Sequence, residues 1–178
     1  MRWIRLILGL IKAKFKSKIQ ATEITSLEFR VWITDIDISI MNNAAILTVM
    51  EVGRIDFMVR TNFFKIANRN KWFFPSQDLT VQFYRPLKTF QKAELQTKLS
   101  YVDEKWIYFE QRIIRNGKEV AGCLIKCTVK RGRETVPTSE VIKALNINKV
   151  PRIKSKLIES YEIENEQINI KLIDQWEN

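Results

Sequence analysis

The chain contains no histidine, and this absence excludes a good deal of chemistry. A Ser-His-Asp or Cys-His nucleophile pair cannot be assembled within it, and a zinc site with an imidazole ligand cannot form. Any hydrolytic step must therefore use carboxylate, amide, hydroxyl, lysine or backbone groups. Cysteine is almost as scarce. Cys123 and Cys127 are the two present, too few for the disulfide framework of a small secreted domain, so a reducing compartment is expected. Their spacing puts both on one face of a strand, where cysteine acts as a small apolar residue. Apolar runs all fall well short of the roughly 20 residues a spanning helix needs. No A-x-A-like cleavage site stands clearly after the first apolar stretch, which argues against a secretory leader. Internal repeats are also missing.

What is present suits one globular domain with short extensions. The chain has 178 residues, 46% of them hydrophobic and 28% charged, an ordinary balance for a packed core. The net charge of +10 attracts anions, whether nucleic acid, acidic lipid headgroups or CoA phosphates. No RNP-like, helix-turn-helix or zinc signature accompanies the charge, so no specific nucleic-acid partner is expected.

Residues 1–22 form a basic amphipathic segment, with Trp3, Ile4, Leu6, Ile7, Leu8, Leu10, Ile11 and Phe15 set among Arg2, Arg5, Lys12, Lys14, Lys16 and Lys18. Two outcomes are open for residues 1–18. One is a peripheral, in-plane anchor on anionic lipid; the other is a helix packed on the domain or on a partner subunit.

The alternation of Phe29, Val31 and Ile33 with Arg30, Trp32 and Thr34 predicts a first strand. A polar turn follows, from Thr34 to Asn43. Asn is a good helix N-cap, and the stretch after it, from Ala44 to about Ala67, is apolar around most of a helical wheel. Such a helix is buried on most sides, here as a central helix enclosed by sheet. Gly53 in its interior costs about 1 kcal/mol relative to alanine, so it predicts a close approach of sheet or substrate. The second half then turns to period two. Leu79, Val81 and Phe83, then Leu95, Thr97, Leu99 and Tyr101, then Trp106 to Ile114 read as strands. Asn116-Gly117 signals a hairpin, and Ala121, Cys123, Ile125, Cys127 and Val129 line one face of the returning strand. The order is strand, long buried helix and an antiparallel meander, an α+β architecture. The basic set Arg112, Arg115, Lys118, Lys126, Lys130, Arg131 and Arg133 reads as a solvated strand face or as a hold for CoA phosphates. A turn at Val136–Glu140 predicts a short helix capped by Thr138 or Ser139. The C-terminal extension, residues 146–178, becomes acidic from Glu159 onward and either pairs with the basic head or stays mobile.

Several motifs together resemble one family. Val31-Trp32-Ile33-Thr34-Asp35-Ile36-Asp37, then Met41-Asn42-Asn43, then Met50-Glu51-Val52-Gly53-Arg54 are similar to the acyl-CoA thioesterase-like hotdog proteins. The likeness continues in Phe83-Tyr84-Arg85-Pro86-Leu87, Asp103-Glu104-Lys105-Trp106-Ile107-Tyr108 and Gly117-Lys118-Glu119-Val120-Ala121. The resemblance implies a hotdog domain over residues 23–145, a long central helix wrapped by an antiparallel sheet. It implies hydrolysis of an acyl thioester carried by CoA or acyl carrier protein, in the cytoplasm or at the inner membrane face, by a homodimer or higher homo-oligomer. Neither cofactor nor metal is implied. Carried over, Asp37 is the catalytic carboxylate. Asn42 and Asn43 position substrate, backbone N–H groups near Asn43 and Ala44 serve as oxyanion donors, and Glu51 assists from the helix. Relatives commonly carry Asp-x-Asn-x-His-Met-Asn-Asn. Here the turn is one residue shorter, Ser39 stands where the turn Asn would be, and the His has no counterpart. That departure motivates an alternative, a degenerate member that binds acyl thioesters or lipid without turnover.

Overall fold

The computed structural model describes the backbone of residues 2–176 and the side chains of residues 8–11 and 13–166. In chain order the elements are α1 (Arg2–Phe15), β1 (Thr25–Arg30), a 3-10 turn (Ile33–Asp35), β2 (Ile36–Asp37), β3 (Ile40–Met41), α2 (Asn43–Arg60), α3 (Phe63–Arg69) and β4 (Trp72–Phe73). There follow β5 (Ser76–Phe83), β6 (Lys92–Val102), β7 (Ile107–Arg115), β8 (Lys118–Cys127), β9 (Val129–Arg131), β10 (Glu134–Val136), α4 (Thr138–Leu145) and α5 (Lys156–Trp176).

Five strands pair antiparallel in the order β1-β6-β7-β8-β5. The β7–β8 turn is Asn116-Gly117, both with positive φ (51° and 72°), as a two-residue type I′ hairpin requires. Strand alternation sends Leu95, Leu99, Phe109, Ile113, Ala121, Cys123, Ile125 and Cys127 to one buried face. There α2 lies across them, with Phe57 edge-on to Phe109 at 5.3 Å between ring centroids. Gly53 faces β6 so closely that an added Cβ would stand 2.4 Å from Leu95 Cδ2 and 2.9 Å from Thr97 Oγ1. The close approach expected of this glycine is to the sheet. A central helix against a large antiparallel sheet is the hotdog architecture the resemblance implied.

The helix departs from expectation in two respects. It does not run from Ala44 to Ala67 as one piece. Thr61 donates both its N–H and its hydroxyl to the Phe57 carbonyl at 2.9 Å, and Asn62 takes a left-handed conformation, φ 63°. Asparagine tolerates that conformation better than most residues, so the chain turns and restarts as α3. Nor does the sheet enclose α2 alone. Its outward side is covered by α1, where Gly9 sits against Val52 and Ala13 is buried. Lys16 Nζ reaches the buried Asp56 carboxylate at 2.9 Å.

Two local corrections follow the same logic. β1 spans Thr25–Arg30 rather than continuing to Ile33, because Asp35 captures the Trp32 N–H and bends the chain into the 3-10 turn. At α4 the N-cap position is Pro137, and no side chain caps it. The Thr138 hydroxyl instead donates to the Asp103 carbonyl.

The C-terminal segment lies on the opposite face of the sheet. Ile158 and Tyr161 of α5 pack on Tyr108 and Leu124, which point away from α2. Tyr108 donates its hydroxyl to Glu162 at 2.7 Å, Lys154 pairs with Glu162 at 2.6 Å, and Tyr161 and Asn165 both donate to Asp78. Of the acidic positions in this segment, Asp174 and Glu177 lie outside the described side chains.

Candidate functional site

The loop before α2 is fixed by backbone groups that leave little freedom. Asp35 is buried; its carboxylate accepts from the Trp32 N–H at 2.8 Å, and its carbonyl accepts from the Asn42 N–H at 2.8 Å. The Met41 N–H donates to the Leu87 carbonyl at 2.7 Å. Between these ties β2 and β3 make a small hairpin, Ile36 opposite Met41 and Asp37 opposite Ile40. Asp35 is thus a pin at the base and Asp37 an exposed carboxylate near the tip. Ile38, at the tip itself, has φ 59° and is 100% exposed. A β-branched residue in the left-handed region carries strain of about 1–2 kcal/mol, and such strain clusters at ligand-contacting sites.

Asn42 ends this hairpin and opens the helix. Its side-chain oxygen accepts from the Ala45 N–H at 2.9 Å, with φ −73° and ψ 150°, so the residue performs the capping role that its type predicts. Its carbonyl takes the Ile46 N–H at 3.1 Å. The first N–H groups of a helix have no acceptor inside it; those of Asn43 and Ala44 lie at the solvent-exposed mouth of α2. Asn42 and Asn43 stand at this helix N-terminus, an electropositive end suited to an anion or a polarised carbonyl, and Asp37 lies on the hairpin that leads into it. Glu51 lies apart from them, half-buried and about 12 Å further along the axis at 1.5 Å per residue.

The rim of this mouth is apolar and uncovered. Trp32, Ile33, Ile38, Ile40, Leu47 and Phe90 are all exposed, with Trp32 edge-on to Phe90 at 6.2 Å. The larger cavity, about 380 Å³, lies on the other face of the sheet and touches none of the four predicted residues. In its lining Lys98 pairs with Glu110 at 3.6 Å and Arg112 donates to Gln96 at 2.8 Å. A smaller apolar cavity of about 50 Å³ sits at the far end of α2, among Phe57, Met58, Phe63, Leu99, Phe109 and Leu145.

Three of the seven residues in the predicted basic set, Arg112, Lys126 and Arg131, have partners within the chain. Arg131 pairs with Glu140 at 2.5 Å, and Lys126 stands over the Trp106 ring at 4.6 Å. Burial pushes the Cys123 thiol up to about 12 and Cys127 to about 11, which makes both poor nucleophiles. Among the described residues no group of three His, Cys, Asp or Glu is placed to hold a metal ion, and no helix is long and apolar enough to cross a membrane.

One residue of consequence escaped the sequence pattern. Gln111 is only 3% exposed at an inward position of β7. Its Nε2 donates to the Met50 carbonyl and to Thr97 Oγ1, each at 2.8 Å, and its Oε1 accepts from Arg54 Nη1 at 3.2 Å. It ties α2 to two strands beside Gly53. The available signal was a lone amide in the register Ile107, Phe109, Gln111, Ile113, where every other member is apolar.

Residues 31–145 match the family model described as the thioesterase-like superfamily. No curated protein sequence matches the chain. Among solved structures, a probable thioesterase from Escherichia coli aligns over 70% of this chain and 98% of its own, with 19% identity and a TM-score of 0.64. A probable thioesterase from Bartonella henselae aligns over 65% of this chain and 97% of its own, at 21% identity and TM-score 0.59. A 1,4-dihydroxy-2-naphthoyl-CoA thioesterase from Synechocystis aligns over 72% of this chain and 100% of its own, at 12% identity and TM-score 0.60. At these identities the likeness concerns the fold.

Proposed function

The chain belongs to the thioesterase-like superfamily, and we propose that it hydrolyses the thioester of an acyl-CoA with Asp37 as the reacting carboxylate. The observation that carries this reading is the pairing of an exposed carboxylate on a pinned hairpin with the open N-terminus of α2. In the reaction, the Asp37 carboxylate attacks the thioester carbonyl carbon and the C–S bond breaks. CoA leaves as a thiolate that takes a proton from water, and water then cleaves the acyl–Asp37 anhydride. Alternatively, the carboxylate accepts a proton from water as that water attacks. The N–H groups of Asn43 and Ala44 hold the oxyanion in either case, a contribution of about a hundredfold or more in rate per donor. Asn42 acts by fixing the helix end, and Glu51 assists from further along α2.

A thioester suits a site without histidine. An alkyl thiol has a pKa of about 8.5, so the thiolate departs without a general acid, which an amide or alkoxide leaving group would require. The substrate carrier is CoA or acyl carrier protein. The two unpaired thiols fit the reducing cytoplasm, where such thioesters occur.

The site is incomplete in one chain. Asp37 and its apolar rim are exposed, and β5 pairs with β8 on one side only. Leu79 and Phe83 on that edge are exposed, and such an edge strand invites pairing. We therefore propose a homodimer joined through β5, which continues the sheet across the two copies and brings the second copy near the Asp37 mouth.

A second reading has its own support. The fully exposed Ile38 beside Asp37, the shortened turn and the Asn42 side chain already committed to capping all suit a protein that binds acyl thioesters without turnover. Thiol release from a panel of acyl-CoAs, short to long, separates the two. Steady-state release with any chain length supports the hydrolase. Saturable binding of the same thioesters with no release, from CoA or from acyl carrier protein, supports the binder.

A further inference from the structure

We infer that the outward face of α1 is a docking face for anionic membrane, held in place by the fold before any lipid is met. One face of α1 is locked onto α2. Ala13 is 1% exposed, and Gly9 contacts Val52 so tightly that an added Cβ would stand 2.7 Å from Val52 Cγ1. Lys16 pairs with Asp56 at 2.9 Å, Lys18 Nζ donates to the Val59 carbonyl at 2.9 Å, and the Ile19 N–H donates to the Arg60 carbonyl at 3.2 Å. These ties decide which way the other face looks.

That other face carries Leu8 at 49%, Ile11 at 48% and Phe15 at 87% exposure. Spacings of three and four residues stack them in one stripe, about half a turn away from Gly9 and Ala13 at 100° per residue. The helix is held by α2, so these side chains cannot be hidden by its collapsing onto the domain. Large apolar side chains in a row on the surface mark an interaction site rather than ordinary scatter.

The charge around the stripe selects the partner. Residues 1–18 hold six Lys or Arg and no Asp or Glu; with Lys16 and Lys18 tied to α2, Arg2, Arg5, Lys12 and Lys14 remain for a partner. A second copy docking through this same face would bring the same cations against them and be repelled. An anionic bilayer offers the complement for both parts, headgroup phosphates for the cations and the acyl boundary for the stripe. A helix of 14 residues is about 21 Å long, which suits one lying in the interface plane. Gly9 of α1 meets Val52, and just past the end of α1 Lys16 and Lys18 meet Asp56 and Val59 further along α2, so α1 and α2 run in the same sense. Docking therefore sets the long axis of α2 along the membrane surface, whether or not the site turns over.

The test is co-sedimentation of the full chain with phosphatidylcholine vesicles, with and without phosphatidylglycerol. The wild type is expected to pellet with the mixed vesicles, at least about tenfold more tightly than with phosphatidylcholine alone, and to be released by high salt. The triple variant Leu8→Gln, Ile11→Gln, Phe15→Gln is expected to bind about a hundredfold more weakly with an unchanged melting temperature. If the triple variant does not fold, Phe15→Ser alone, at the most exposed position, is expected to weaken binding by about tenfold. No pelleting of the wild type, or equal pelleting of wild type and variants, would overturn the inference. So would a larger solution mass for the wild type than for the variant in the absence of lipid, because the stripe would then join copies of the chain.

Discussion

Replacing Gly53 with alanine should destabilise the protein, although helix propensity alone predicts the reverse. In an exposed helix interior the change gains about 1 kcal/mol. Here the new Cβ would meet Leu95 Cδ2 at 2.4 Å, Thr97 Oγ1 at 2.9 Å and Gln111 Nε2 at 3.1 Å. Leu95 is fully buried and Gln111 is held by three hydrogen bonds, so neither can withdraw freely. Overpacking of this kind costs about 1–3 kcal/mol, and loosening the Gln111 bonds costs about 1–3 kcal/mol more. After the propensity gain the net loss is about 3 kcal/mol, which for a chain of this size lowers Tm by about 6–12 °C. Thermal and urea unfolding followed by circular dichroism measure it. A partner substitution sharpens the test. Leu95→Ala alone costs about 2–5 kcal/mol, but in its background Gly53→Ala should lose most of its penalty, because the closest clash is gone. A Gly53→Ala protein as stable as the wild type or more so would refute the claim that α2 and β6 touch at this glycine.

Two further predictions concern titrating groups. Burial alone would raise the Glu162 carboxyl, but hydrogen bonds from Lys154 and Tyr108 hold it below its ordinary 4.5. Its contribution to docking α5 is therefore complete above pH 4.5 and is lost as the pH falls through the lower folded value. Trp106, packed against the same cluster, should report this loosening by fluorescence, and the same acid step persisting in Glu162→Gln would contradict the assignment. Cys123 and Cys127, pushed up to about 12 and about 11 by burial, should react with iodoacetamide at mildly alkaline pH about a hundredfold or more slower than in the urea-unfolded chain; equal rates would place the thiols at the surface.

The parts of the fold legible in the sequence are those governed by local rules. Alternation located β5 to β8 to within a few residues, Asn116-Gly117 marked the hairpin, and Asn42 marked the start of α2. The buried character of α2 was legible too, since its apolar residues circle the helix. What covers its outer side was not, because an amphipathic basic segment looks the same whether it packs on protein or on lipid. Val52, Asp56 and the Arg60 carbonyl settle where α1 lies, and nothing near residue 9 in the chain announces them. The break at Asn62 carries no Gly or Pro, only an asparagine that accepts a left-handed turn. At the site, Asp35 and Asp37 have the same type and the same parity. They are told apart only by the tertiary ties of Asp35 to Trp32 and Asn42. The docking of α5 rests on polar contacts such as Tyr161 to Asp78, 83 positions apart, which no local pattern encodes.

The central claim is that Asp37 reacts with an acyl thioester at the mouth of α2, and steady-state thiol release by wild type and Asp37→Asn, side by side on the same acyl-CoAs, tests it most directly. Asparagine keeps the size of the side chain and removes the carboxylate, so the hairpin and the Tm should be unchanged. The account predicts a fall in kcat of about a hundredfold or more, in the range ascribed to a positioned acid or base. Undiminished release by Asp37→Asn would contradict it and move the reaction to another group on the chain.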